Sequence, residues 1–108
     1  IIVSPNNYQK DVRKFFTSIG FYIEDEELVK DGKYIYQIIK LKKGRKRYSK
    51  KEMFFGPVLL TKKNKLFKDY FTRELTSRKI MIDLLPRNYR LKKYLTKKEI
   101  TMIEKELS

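Results

Sequence analysis

The chain has 108 residues, the length of one domain, and 41% of them are hydrophobic, which is enough for a modest core. It contains no cysteine and no histidine, so disulfide bonds and thiolate or Ser-His-Asp chemistry are excluded, and a metal site is not expected. The net charge of +14 predicts an anionic partner, and no apolar run approaches the ~20 residues of a membrane span, so we expect a cytoplasmic protein.

The chain opens on a predicted strand followed by a helix. Ile1-Ile2-Val3 is a continuous apolar run, which indicates a strand buried on both faces and, without an initiator Met, a segment taken from a longer chain. Pro5 ends this strand, and Asn6 and Asn7 are candidate N-caps for the helix. Gly20 is expected to end the helix in a left-handed conformation. The apolar face of this helix is predicted to comprise Tyr8, Val12, Phe15, Phe16 and Ile19.

Two further strands are predicted to form a hairpin. The first covers residues 21 to 30, and its acidic run, Glu24 to Glu27, is interpreted as a solvated patch because strand neighbours point to opposite faces. Asp31-Gly32 is a two-residue turn signal. The strand over residues 33 to 41 is apolar on both faces, so it should lie in the centre of the sheet, antiparallel to the other two.

The remaining residues predict helices. Ser49 and Glu52 have the spacing of a capping box, which starts one short helix that Gly56 and Pro57 stop. Asn64 begins a helix of about twenty residues, and Thr96 with Glu99 forms a second capping box for the last helix, giving an antiparallel α-helical hairpin. The linker contributes an apolar group that is expected to be core: Phe54, Phe55, Val58, Leu59 and Leu60.

The positive charge is confined to one part of the chain. Residues 1 to 41 hold six basic and six acidic residues, whereas residues 42 to 108 hold 21 basic and seven acidic residues. Basic residues along a loop and a helical hairpin can follow a phosphate backbone, which favours RNA binding. The candidate contacts are Lys42, Lys43, Arg45, Lys46, Arg47, Arg73, Arg78, Lys79, Arg87, Arg90, Lys92 and Lys93.

One loop is a candidate for chemistry. Ser4-Pro5-Asn6-Asn7 follows the first strand, and α/β sheets bind ligands at the carboxyl ends of their strands. Asn side chains can pair with adenine, although the same residues can serve only to start the helix. The chain has no P-loop, no GxGxxG motif and no metal-ligand spacing.

A family resemblance rests on several segments in order. The stretch IIVSPNN, a helix ending in SIGF, then EDEELVKDGKYIYQIIKL, EMFFGPVLL and NKLFKDYF resemble the carboxyl-terminal half of the bacterial tRNA (adenine(22)-N(1))-methyltransferase family, the TrmK type, over about residues 1 to 85. The resemblance implies an α/β, class I methyltransferase that uses S-adenosylmethionine and has a Rossmann-like sheet followed by a helical, coiled-coil-like extension that helps to hold tRNA.

The resemblance also divides the chain and assigns roles. Residues 1–48 would end the Rossmann-like domain, residues 49–63 would be a linker with a short helix, and residues 64–108 would be the basic helical extension. Pro5, Asn6 and Asn7 would lie on the active-site rim. The family's cofactor-binding strands are not among these residues, so the chain alone is expected to be inactive.

Two other classes of function stay open on the sequence. The chain can be a complete, non-enzymatic RNA-binding module, or its helical hairpin can be a coiled coil that binds another protein. An unpaired apolar edge on the first strand would also allow a second copy of the chain to pair with it, giving a homo-oligomer.

Overall fold

The computed structural model describes residues 1–108 and has three strands and five helices. A strand and a helix come first, a β-hairpin follows, and four helices complete the chain. The chain divides into two compact units, Ile1–Phe67 and Lys68–Ser108. The elements are β1 (Ile2–Val3), α1 (Gln9–Ser18), β2 (Phe21–Asp31), β3 (Tyr34–Lys43), α2 (Lys50–Phe55), α3 (Pro57–Lys62), α4 (Lys65–Leu84) and α5 (Arg90–Leu107).

The three strands form one sheet in the order β1-β3-β2, with β3 antiparallel to both neighbours. This confirms that the third strand is central. Ile39 and Leu41 of β3 are buried and pack with Ile23 of β2. The first strand differs from expectation, because Ile1 and Ile2 are 60% and 68% exposed. β1 is therefore an edge strand that pairs only with β3, rather than a strand covered on both faces.

The turn between β2 and β3 lies one residue later than predicted. Asp31 pairs with Tyr34, so the two loop residues are Gly32 and Lys33 instead of Asp31 and Gly32. Gly32 has a φ of 59°, and Lys33 does not have a positive φ. A glycine at the first loop position with positive φ is typical of a type II′ hairpin turn.

A β-bulge at Glu24 changes which acidic residues face the core. Ile23 pairs with Leu41 and Asp25 pairs with Lys40, so Glu24 is an extra residue on β2. The bulge shifts the alternation by one, which places Glu26 on the same side as Ile23. Glu26 is consequently buried, and the interpretation of the whole acidic run as a solvated patch is wrong at this residue.

Only part of the predicted apolar face of α1 is covered: Phe16 packs against the sheet core and Val12 is half-buried. Arg13 is fully buried, whereas Tyr8, Phe15 and Ile19 of the predicted apolar face are more than half exposed. Arg13 occupies the buried side of the helix, where its guanidinium reaches the carboxylate of Glu26 on β2.

The predicted N-cap of α1 is also wrong. Tyr8 occupies the N-cap position with a left-handed φ of 58°, and no side chain caps the helix. The Asn7 side-chain oxygen instead accepts from the N–H of Tyr8, its immediate neighbour. Gly20 has a positive φ of 98° after the helix, as expected of a residue that ends it.

The Arg13–Glu26 pair is the centre of a buried polar network. Arg13 Nε donates to Glu26 Oε2 at 2.7 Å, and Arg13 Nη2 donates to Gln37 Oε1 at 2.6 Å. Both charged side chains have no solvent exposure. The network contains no buried side-chain polar atom without a partner, which buried charges require.

The same ion pair joins two short helices where one was predicted. The Ser49–Glu52 capping box is confirmed and starts α2, but the chain continues through Gly56 into α3. Pro57 is the first residue of α3, a position where its missing N–H is harmless. Gly56 therefore separates two helices rather than ending one.

Each charge of the pair binds the helix end of opposite polarity. Arg13 Nη1 donates to the carbonyl of Met53 near the end of α2, at 3.1 Å. Glu26 Oε1 accepts from the N–H groups of Val58 and Leu59, at 2.9 and 3.4 Å, at the start of α3. Helix carboxyl ends favour cations and helix amino ends favour anions, so the pair stabilises both ends at once. Gly56, which lies between the two helices, has no side chain that could bond these helix ends itself.

The unit Lys68–Ser108 is built from α4 and α5, which run antiparallel. Arg78 Nε bonds Glu99 Oε1 at 3.1 Å, and the Thr96 hydroxyl lies 4.0 Å from the sulfur of Met81. Asn64 caps α4 as predicted, since its Oδ1 accepts from the N–H of Phe67. The second capping box is wrong: α5 begins at Arg90, and the Thr96 hydroxyl donates to a carbonyl one turn earlier, within the helix.

We predict that Gly56→Ala lowers the free energy of unfolding far more than Gly20→Ala. The two glycines have φ values of 95° and 98°, so a side chain at either position adopts a φ that L residues rarely have. A Cβ at Gly56 would lie 2.6 Å from Arg13 Nη2 and 2.7 Å from Glu26 Oε1, whereas a Cβ at Gly20 meets nothing within 4 Å. Chemical denaturation should show about 1–3 kcal/mol of additional loss for Gly56→Ala, and equal losses would contradict the packing at Gly56.

A double-mutant cycle should show strong coupling between Arg13 and Glu26. Arg13→Met or Glu26→Gln alone leaves a buried partner uncompensated and should cost about 3–5 kcal/mol, and the double variant should cost clearly less than the sum. The exposed pair of Lys79 and Glu104, 3.4 Å apart, is the control and should couple by about 0.5 kcal/mol or less. Additive losses for Arg13 and Glu26 in urea denaturation would show that the pair does not act as a unit.

Candidate nucleic-acid interface

The loop after β1 is held at both ends but leaves one amide free. The Ser4 hydroxyl donates to the carbonyl of Gln37 on β3, and the Gln9 amide donates to the carbonyl of Pro5. Asn6 and Asn7 are exposed, and the Asn7 side chain is engaged with the N–H of Tyr8. Asn6 makes no side-chain hydrogen bond within the chain, so its amide can bind a ligand.

The segment 42–47, called the basic loop here, presents its cations to solvent. Its five basic side chains are exposed and none forms an ion pair with an acidic residue of the chain: Lys42, Lys43, Arg45, Lys46 and Arg47. Gly44 lets the loop approach β2, since its N–H donates to the carbonyl of Gly20 at 3.0 Å and a Cβ would lie 2.9 Å from the Tyr22 ring.

The basic loop and the loop after β1 lie at opposite ends of the sheet. Ser4 bonds Gln37, and Lys43 ends β3 six residues further along. A strand rises about 3.3 Å per residue, so roughly 20 Å separates the two sites. The basic loop is consequently too far from Asn6 to contact the same nucleotide.

The hairpin cations fall into two groups. Arg78 bonds both Glu74 and Glu99, and Lys79 bonds Glu104, so these two candidates hold α4 and α5 together. The candidates nearer the turn between the helices form no ion pairs: Arg87, Arg90, Lys92 and Lys93. Arg73 is exposed on α4. The candidate surface of the hairpin therefore lies mainly around its turn.

Lys62 neutralises part of the acidic run on β2. Its amine bonds Asp25, Glu27 and the carbonyl of Glu26. The hydrogen bond to Glu27 raises the pKa of Lys62, and the Glu26 N–H, followed by Lys62, lowers the pKa of Asp25. The cluster therefore pairs the carboxylates of Asp25 and Glu27 with a cation of the chain itself.

The sequence-based predictions missed the buried network, although one signal was present. Gln37 is a polar residue on a strand face that otherwise carries Ile35, Ile39 and Leu41. A buried amide on an apolar face needs a buried partner. That signal could have indicated a polar residue on α1 or β2, but it could not have identified Arg13 and Glu26.

The chain alone does not present a nucleotide-cofactor cradle. Its four glycines are isolated from one another, and neither strand-to-helix connection, residues 4–8 or 44–49, holds the clustered glycines that let a backbone approach a cofactor. The residues present therefore do not fit S-adenosylmethionine. No group of three acidic side chains is arranged to hold a metal ion, and no helix is long and apolar enough to cross a membrane.

The β1-α1-β2-β3 arrangement defines the chain as part of a Rossmann-like α/β protein. A Streptococcus agalactiae protein of the NADB-Rossmann superfamily superposes with a TM-score of 0.90 at 26% identity, over 99% of this chain and 47% of that one. A putative tRNA (m1A22) methyltransferase from Streptococcus pneumoniae gives 0.88 at 22% identity, over 99% and 48%. The Bacillus subtilis m1A22 tRNA methyltransferase TrmK gives 0.83 at 16% identity, over 99% and 50%.

The family follows from the sequence match. The model of the tRNA (adenine(22)-N(1))-methyltransferase family, TrmK, matches residues 1–105, and the chain belongs to this family. The chain spans about half the length of the solved structures that it matches. Comparison with curated proteins gives no match. The S. pneumoniae protein has also been solved with S-adenosyl-L-methionine, and M. capricolum TrmK has been solved with S-adenosyl-homocysteine.

Proposed function

We propose that this chain forms the end of the catalytic-domain sheet and an RNA-binding surface of an S-adenosylmethionine-dependent tRNA adenine-N1 methyltransferase. Family membership over residues 1–105 and the fold shared with m1A22 methyltransferases support the reaction class. The observation that carries the RNA-binding part is that the cations of the basic loop and of the hairpin turn form no ion pairs within the chain.

The proposed phosphate contacts follow from that pairing pattern. Cations without acidic partners are the ones that can release counterions from a phosphate backbone without breaking an internal bond. Arg78 and Lys79 are excluded because they bond acidic residues of the hairpin. The proposed set selected in this way is Lys42, Lys43, Arg45, Lys46, Arg47, Arg87, Arg90, Lys92 and Lys93. Arg73 is added to it only because its side chain is exposed on α4.

Asn6 is proposed as a base contact on the active-site rim, beside Pro5 and Asn7. An asparagine amide can accept from adenine N6 and donate to N7. That pairing leaves N1 of the adenine unoccupied, which is the atom that the reaction needs. The adenine must be unpaired or flipped out for this geometry, because N1 lies on its Watson–Crick edge.

The exposed apolar side chains of β1 and α1 are proposed to pack against the cofactor-binding part of such an enzyme. Ile2, Phe15 and Ile19 are all more than half exposed, and the edge of β1 away from β3 is unpaired. An unpaired apolar edge favours strand addition or pairing with a second copy. We propose that the chain by itself neither binds the cofactor nor transfers a methyl group, because the cofactor-binding residues of the enzyme are not among its residues.

We expect the chain to bind a tRNA transcript with a strong dependence on salt. Removing two phosphate contacts with Arg45→Gln/Arg47→Gln should weaken binding and reduce the slope of log Kd against log salt by about 1–2. Filter binding at several salt concentrations measures this. Mixed with S-adenosylmethionine and tRNA, the chain alone should produce no methylated tRNA.

Two controls make this experiment specific. Lys14→Gln/Lys30→Gln removes the same charge from exposed residues outside the basic loop and hairpin, and it should leave the slope within error of the wild type. Asn6→Ala should lower affinity without changing the slope, because it removes a base contact. A wild-type chain that fails to bind tRNA at low salt, or equal slopes for the two double variants, would contradict the proposal.

The exposed apolar face should make the isolated chain self-associate. Phe15→Lys/Ile19→Lys is expected to give a monomer at concentrations where the wild type sediments as a larger species, since the charges cannot be buried. Tyr34→Lys, at an exposed residue at the far end of β3, is the control and should leave association unchanged. A wild-type chain that stays monomeric in sedimentation velocity at high concentration would contradict self-association through the exposed apolar side chains of β1 and α1.

A further inference from the structure

The turn of the helical hairpin carries a second feature that phosphate binding does not explain. Residues 84–98 contain six basic residues and no acidic residue, and none of the six forms an ion pair: Arg87, Arg90, Lys92, Lys93, Lys97 and Lys98. Within this segment, called the hairpin tip here, two tyrosines are also exposed, Tyr89 by 51% and Tyr94 by 58%. Exposed aromatic rings combined with a cationic surface are the pattern with which proteins bind single-stranded nucleic acid.

The two tyrosines are followed by the same pattern of lysines in the sequence. The sequence YRLKK-YLTKK places two lysines three and four residues after each ring, Lys92 and Lys93 after Tyr89 and Lys97 and Lys98 after Tyr94. On a helix these positions are neighbours on one face. The structure places Lys98 Nζ 5.5 Å from the centre of the Tyr94 ring. Each ring is therefore combined with cations one turn away.

This unit can bind both parts of a nucleotide. A base stacks on an aromatic ring with little regard for sequence, and a lysine beside the ring can meet the phosphate. Tyr89 is the N-cap of α5 and Tyr94 lies five residues later, a separation of about 7.5 Å along the helix axis. Successive bases in a duplex strand are only about 3.4 Å apart, so one strand could reach both rings only if its bases were unstacked.

We propose that the hairpin tip binds unpaired nucleotides of RNA, with bases stacking on Tyr89 and Tyr94 and phosphates bound by the lysines that follow each ring. The proposal rests on the proposed function, because RNA as the partner comes from it, and adds which part of a folded RNA is recognised. The tip selects loops or ends over paired stems.

The test compares three RNA probes and two sets of variants on the full chain. The probes are a tRNA transcript, a short single-stranded RNA and a fully paired RNA duplex. Tyr89→Ala/Tyr94→Ala should weaken binding to the single strand by about tenfold or more and to duplex by less than about twofold. Tyr89→Phe/Tyr94→Phe keeps both rings and should bind all three probes as the wild type does. Circular dichroism checks that the variants keep their helix content.

A second measurement reports stacking directly. The chain has no tryptophan, so Tyr94→Trp introduces a single indole in the hairpin tip. Its fluorescence should be quenched by the single-stranded RNA and little changed by the duplex. Equal quenching by both, or none by either, would overturn stacking at Tyr94.

The outcomes separate this inference from the proposed function. If the wild type binds tRNA with a salt dependence but the double alanine variant binds the single strand equally well, stacking is overturned and the proposed function stands. If the alanine variant loses duplex and single-strand binding to the same extent, the rings only support the helix, and the inference is again overturned. If the wild type binds no RNA but sediments with vesicles of anionic lipid, both proposals fail.

Discussion

The buried ion pair between Arg13 and Glu26 is the constraint on which the rest of the first unit depends. It brings α1 onto the sheet through an arginine, bonds Gln37 on the central strand, and satisfies the facing ends of α2 and α3. Two charges without solvent exposure are tolerated only when every polar atom has a partner, so each of these elements has to be in place for the others to be stable. Gly56 is the residue that leaves room for the pair between the two helices.

A local irregularity in β2 makes this arrangement available. With regular alternation from Ile23, Glu26 would face away from the side on which Ile23 is buried. The extra residue at Glu24 reverses the alternation, so a carboxylate enters the core opposite Arg13. Arg13 occupies the buried side of α1, whereas Phe15 on the helix and Ile19 just after it are exposed, which leaves apolar surface there. The packing of Arg13 against Glu26 thus accounts both for the charges in the core and for the exposed Phe15 on α1.

The proposed function of this chain depends on which charges are already paired. Lys62 is bound by the acidic run on β2, and Arg78 and Lys79 are bound within the hairpin, so these cations maintain the fold. The basic loop and the hairpin tip are left with cations that have no acidic partner within the chain, and the proposed RNA contacts lie there. A net charge of +14 alone does not make this distinction, because it counts paired and unpaired cations alike.

The sequence by itself determined the features that are set by neighbouring residues: the order of the strands and of the longer helices, the Ser49–Glu52 and Asn64 caps, the central third strand and the family. Caps and turns depend on contacts a few residues apart, and the two apolar faces of β3 are visible in its composition. Only the tertiary structure decided which face of α1 is buried, which acidic residue enters the core, and that Thr96 lies inside a helix. Those outcomes depend on partners far away in sequence, Arg13 with Glu26 and Gln37 or Arg78 with Glu99, whose long-range pairing overrides local periodicity.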